Sequence, residues 1–128
     1  MSKLCYACSV NQKQFQRYLD RDGGCVHCGQ TESVSPHHRL NRGMGGSKVR
    51  DVPSNIIVIC SELNSRMESD YGTAQRAKLM GWKLSAGANP LEIPVRHYSG
   101  EWRLLDNAFG FVQNVGDNNR VRLDNLIR

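Results

Sequence analysis

Apolar residues recur at helical spacing in "NQKQFQRYLDR" (11–21), where Phe15, Tyr18 and Leu19 share one face, and "DGG" at 22–24 stops the element. "CVHCG" reads as a turn, and "SVSPHHRL" as an extended segment running through His38. "NRGMGGSKVRDVPSN" is a loop by its Gly, Pro, Ser and Asn content. The run "IIVIC" (56–60) fits either a buried strand or the start of a buried helix, because a short apolar run carries no period of its own. From Ser61, "SELNSRMESDYG" predicts a helix with Ser61 as cap and Gly72 as stop. "TAQRAKLMGWKL" predicts a second, ended by Gly81. Beyond "SAGANP" the pattern changes to alternation. "EIPVRHY", "EWRLLD" and "FGFVQNV" predict three short strands joined by "SG" and "NA" turns. In the tail, Leu123, Leu126 and Ile127 fall at helical spacing, so it either docks as a short helix or frays. The order of these elements implies an α+β class with a small antiparallel β-meander towards the C-terminus. No internal repeat is present.

A chain of 128 residues suits one compact domain, and a core of this size gains considerably from a metal staple. No apolar run is long enough to cross a membrane, and "MSKLCYACSV" lacks the apolar stretch of a signal peptide. The expected location is therefore cytoplasmic. Seventeen Lys and Arg stand against twelve Asp and Glu, a formal charge of +5, which favours a polyanionic partner. The distribution sharpens this. From Ser33 to Arg50 the chain carries Arg39, Arg42, Lys48 and Arg50 and no acid.

A cytosolic chain would keep its five cysteines reduced. Cys5/Cys8 and Cys25/Cys28 form two C-x2-C pairs separated by sixteen residues, which is zinc-site spacing. Each pair places two thiolates on one turn, and four thiolates suit a closed, structural Zn2+. The paired histidines of "SPHHRLNRGMGGSK" call for another explanation. On a regular strand His37 and His38 face opposite sides, which allows one imidazole to hold a metal and the other to move a proton. His27 and His97 read as a turn and a strand residue, and Trp82 and Trp102 as core anchors.

The strand-like "HH", the loop, "SNIIVIC" and a helix carrying "NSRME" together resemble the HNH endonuclease family, whose ββα-metal motif grips one divalent ion. "HHRLNRGMGGSK", "PSNIIVICSELNSRMESD", "GWKLS" and "PVRHYSGEWRLLD" are similar to small HNH proteins of bacteriophages and prophages, over residues 14–113. The resemblance implies His37 as a metal ligand, His38 as general base and Asn55 as the residue that orients it. It also implies Asn64 and, one turn later, Glu68 as further ligands. Asn64 and Glu68 at i, i+4 share a helix face. The implied reaction is hydrolysis of DNA phosphodiesters, with the ion stabilising the phosphate and leaving oxygen. Double-stranded DNA would be the partner, with Arg39, Arg42 and Lys48 holding phosphates and Gly43, Gly45 and Gly46 allowing close approach. A phage-encoded chain would act in the host bacterial cytoplasm.

Two positions depart from the family pattern. Asn64 replaces the usual histidine, and its neutral oxygen favours Mg2+ or Mn2+ over softer ions. Leu63 stands where the second cysteine of a pair starting at Cys60 would be. Cys5 and Cys8 then serve as the replacement pair; the alternative recruits Cys60 with Cys25, Cys28 and one N-terminal cysteine. A division into 1–30 (helix and cysteine pairs), 31–84 (ββα-metal core), 85–114 (meander) and 115–128 (tail) follows. Two functions stay open: the endonuclease, and a zinc-stabilised nucleic-acid-binding module whose nuclease site has decayed.

Overall fold

The computed structural model describes residues 11–40 and 50–113. Cys5, Cys8, Arg42, Lys48, the loop glycines and the C-terminal tail lie outside them. The elements, in chain order, are α1 (Gln12–Asp22), β1 (Val34–His38), a 3-10 turn (Pro53–Asn55) and β2 (Ile56–Cys60). They continue with α2 (Ser61–Ser69), α3 (Tyr71–Leu79), β3 (Val95–Arg96), β4 (Trp102–Leu105) and β5 (Phe111–Gln113). The chain is thus a small α+β domain in which two strands and a helix, β1-β2-α2, follow one another.

Helix α1 starts where Asn11 and Gln14 cap each other reciprocally and stops at Gly23, whose φ of 76° a side chain would resist. Phe15 and Tyr18 enter the core as the periodicity requires. Its last two residues are a surprise: Arg21 and Asp22, both charged, are buried. They pair at 2.8 Å, and each also serves β2. Arg21 donates to the carbonyls of Ile56 and Pro53, while the Asp22 carboxylate accepts the N–H of Val58. Burial is tolerable because every charged atom has a partner.

Strands β1 and β2 pair antiparallel, from Val34 opposite Cys60 to His38 opposite Ile56. Pro36, which has no N–H, sits opposite Val58. Val58 accordingly turns its own polar groups away from β1, to Asp22 and to the N–H of Val26. All five residues of β2 are buried. This settles the ambiguous "IIVIC" as a strand: one edge is held by β1, the other by α1's end and the cysteine turn.

The helix boundaries differ from the expected ones. The cap of α2 is Cys60 rather than Ser61, because the Cys60 sulfur accepts the N–H of Leu63. Gly72 does not stop α2. Asp70 closes α2 and caps α3 by accepting the Thr73 N–H, which places Gly72 in α3's first turn. Strands β3, β4 and β5 form an antiparallel sheet in that order. They are shorter than the alternation suggested. Asp106 accepts the N–H groups of Ala108 and Gly110, so Phe109 lies in a turn with φ of 62° rather than in a strand. Trp82 and Trp102 are core residues. No helix among the described residues is long and apolar enough to cross a membrane.

Candidate metal and nucleic-acid site

The register of the hairpin decides which cysteines meet. Cys60 ends β2 beside Val34, and Val26 is hydrogen-bonded to Val58, so the 25–28 turn lies against the same end of the hairpin. The sulfurs of Cys25, Cys28 and Cys60 lie within 4.8 Å of one another. Cys25 and Cys60 are buried and Cys28 is exposed. Burial pushes the Cys25 thiol up to about 11, against the opposing pull of the Cys28, His27 and Cys60 backbone N–H groups. Backbone donors aimed at sulfur suit a thiolate that a cation has stripped of its proton. The donor set therefore fits a structural Zn2+, for which three described sulfurs are in place. The expected tetrad of Cys5, Cys8, Cys25 and Cys28 needs correction in one respect. Cys60 joins the cluster, and Cys5 and Cys8 lie outside the described residues.

The histidines sit at the opposite end of the hairpin. His37 Nε2 is 2.9 Å from the Trp82 carbonyl. A carbonyl only accepts, so this nitrogen carries the proton and Nδ1 carries the lone pair. Burial lowers the pKa of His37 to about 4, in spite of the Trp82 contact, so the ring is neutral at pH 7. A neutral imidazole fixed by a backbone carbonyl is the state a metal ligand requires. His38 Nε2 lies 2.7 Å from the Asp51 carboxylate, and both side chains are largely buried. The strand places the two rings in different surroundings, as alternation requires.

Asn55 is fully buried, and its amide touches backbone rather than His38. Its Oδ1 accepts the Leu40 N–H at 2.8 Å, while Nδ2 donates to the carbonyls of Arg50 and Leu40. The side chain thereby ties Leu40 to Arg50, the described residues on either side of 41–49. Asn64 is half-buried and Glu68 exposed on α2. Among the described residues only Cys25, Cys28 and Cys60 bring three His, Cys, Asp or Glu donors together. His37, His38 and Glu68 form no such group.

Arg39 is a correction. It was expected to hold phosphate, yet it is 1 % exposed. Its guanidinium donates to four carbonyls, those of Gly81, Ser54, Pro90 and Ile93. Burial lowers its pKa to about 9, which leaves it charged at neutral pH. It cross-links the ββα unit to the 81–93 segment and has no face left for DNA.

Asp51 was missed in the sequence, and Cys60 stood there only as the alternative zinc ligand. Asp51 carried a signal only in its position, four residues before Asn55, where a hairpin must bring the chain back beside His38. Cys60 carried one in its place at the strand's end, but pairing by C-x2-C spacing favoured the N-terminal cysteines. Comparison with known protein families, with curated proteins and with solved structures finds no match to this chain.

Proposed function

We propose that this chain is a zinc-stabilised module that binds double-stranded DNA. Cys25, Cys28 and Cys60 hold the ion, and one of Cys5 and Cys8 completes the tetrahedron. The observation that carries this reading is the sulfur cluster at the open end of the hairpin, opposite the end where Leu40 and Arg50 flank residues 41–49. Zinc braces one end, and at the other Asn55 ties Leu40 to Arg50, on either side of a stretch carrying Arg42 and Lys48. Positive charge on a segment anchored in this way suits the phosphate backbone. A reducing cytoplasm would keep the thiols available to the metal.

Salt dependence tests the reading. Arg42→Ala and Lys48→Ala should each weaken binding to duplex DNA and reduce the slope of log K against log salt by roughly one. Unchanged affinity and slope in both variants would remove the 41–49 segment from the interface.

A second reading, metal-dependent hydrolysis of DNA, is favoured by one specific observation: the contact of His38 with Asp51. In that reading His38 takes the proton of the attacking water, and Asn55 holds the loop in register beside it. His37, Asn64 and Glu68 would hold Mg2+ or Mn2+, which supplies charge neutralisation at the phosphate and leaving oxygen. Supercoiled plasmid incubated with Mg2+, Mn2+, Zn2+ or a chelator separates the two readings. Cleavage that needs Mg2+ or Mn2+ and drops about 10²-fold or more in His38→Ala favours the nuclease. Binding without cleavage under every ion leaves the binding module.

A further inference from the structure

His38 is the last residue of β1, and Asp51 stands where the chain returns towards the 3-10 turn and β2. Asp51 Oδ1 lies 2.7 Å from His38 Nε2, with 15 % and 8 % of the two side chains exposed. We propose that Asp51 is a positioning residue for His38, accepting from Nε2–H and so fixing the tautomer and orientation of the ring.

The argument rests on hydrogen-bond valence. An ionised carboxylate can only accept, so the hydrogen in this contact belongs to Nε2. In a neutral imidazole the lone pair then resides on Nδ1. The residue expected to orient His38 is Asn55, but its amide is committed to the backbone of Leu40 and Arg50. Asn55 acts one step further back. By holding the Arg50 carbonyl at 2.9 Å, it fixes the backbone immediately before Asp51, and Asp51 in turn fixes the ring. The order of action is Asn55, Arg50 backbone, Asp51, His38. Poor solvent access favours the arrangement, since water competes weakly for a contact this enclosed.

The kinetic consequence rests on the hydrolytic reading above, whereas the tautomer does not. The two are therefore measured separately. Histidine-ring 15N spectra of the full, zinc-loaded chain at neutral pH, assigned with His38→Gln, report which nitrogen of His38 bears hydrogen. The parent should show the Nε2–H form. In Asp51→Asn the amide NH2 can turn towards Nε2 and donate to it, so the population should move towards the Nδ1–H form. Asp51→Glu, which keeps an acceptor, should restore most of the Nε2–H signal. Amide spectra of the variants check that each remains folded. If the protein cleaves DNA, Asp51→Asn should lower the rate by about 10²-fold with the Mn2+ concentration for half-maximal rate unchanged, and Asp51→Glu should recover part of it. A parent ring in the Nδ1–H form, or a tautomer indifferent to both Asp51→Asn and Asp51→Ala, would overturn the assignment. If the parent cleaves nothing but the tautomer follows Asp51, the positioning role stands and the hydrolytic reading alone falls.

Discussion

At the scale of single residues, Arg39 and Arg42 show what a charge pattern conceals. Both belong to the same acid-free stretch, and composition treats them alike. Arg39, however, directly follows β1, and its backbone N–H is taken by the Asn55 carbonyl. That bond continues the hairpin by one residue and turns the side chain inward, where four carbonyls collect around it. No sequence rule announces four backbone carbonyls from segments 15 to 54 positions apart. Arg39→Ala should therefore act on stability rather than on binding. Stranding several buried acceptors should cost about 3–5 kcal/mol, seen as a lower urea midpoint with m unchanged. The folded fraction should retain the parent's salt slope on DNA, in contrast to Arg42→Ala. A loss of affinity without a loss of stability would return Arg39 to the DNA-contacting surface.

At the scale of elements, the junction of β2 and α2 carries two duties on one atom. The Cys60 sulfur caps the helix by accepting the Leu63 N–H and also stands among the three thiols. Cys60→Ser separates these duties, because serine is a good cap and a poor zinc ligand. Metal analysis of protein purified without added zinc should fall from about one Zn per chain to well below it. The helix should persist in the presence of excess metal. Undiminished zinc in Cys60→Ser would show that the fourth and third ligands come from elsewhere. Elements of this kind were legible in the sequence to an uneven degree. The buried face of α1 and its stop at Gly23 followed from Phe15, Tyr18 and the glycine pair, because local periodicity and backbone freedom act within a few residues. The cap at Cys60, the shared cap at Asp70 and the short β3 did not. Each depends on what the rest of the chain places alongside, and sulfur as a helix cap is not a pattern that spacing reveals. The candidate site divides in the same way. His37 and His38 stood out as neighbours, whereas Asp51 and Cys60 became partners only through the register of the hairpin.

At the scale of the whole molecule, the histidines make stability depend on pH with a definite sign. Burial lowers the pKa of His37 from 6.5 to about 4, and burial lowers that of His97 as well, with hydrogen bonds to backbone carbonyls opposing in both. His97 donates from Nε2 to the Asp22 carbonyl at the end of α1, and His37 to the Trp82 carbonyl, so each ring ties its strand to a distant segment. The unfolded chain takes up a proton at His37 as pH falls through 6.5, while the folded chain does so only near 4. Between these values the unfolded state binds more protons, and stability must fall with falling pH. Above 6.5 both states are neutral and the contribution is complete; below about 4 both are protonated and no further loss follows. The His37 share is at most about 3 kcal/mol across the window. Zinc held at the proposed cysteine site would add a loss of the same sign, because acid returns protons to the cysteine thiolates. Urea midpoints at pH 7 and pH 5, without added Mg2+ or Mn2+, should therefore decline in the parent. They should decline less in His37→Gln, which can still donate to Trp82 but has no proton to gain. The difference between the two slopes isolates His37 from the zinc contribution. Equal slopes would mean that the ring opens to solvent in the folded state and titrates as it does in the unfolded chain.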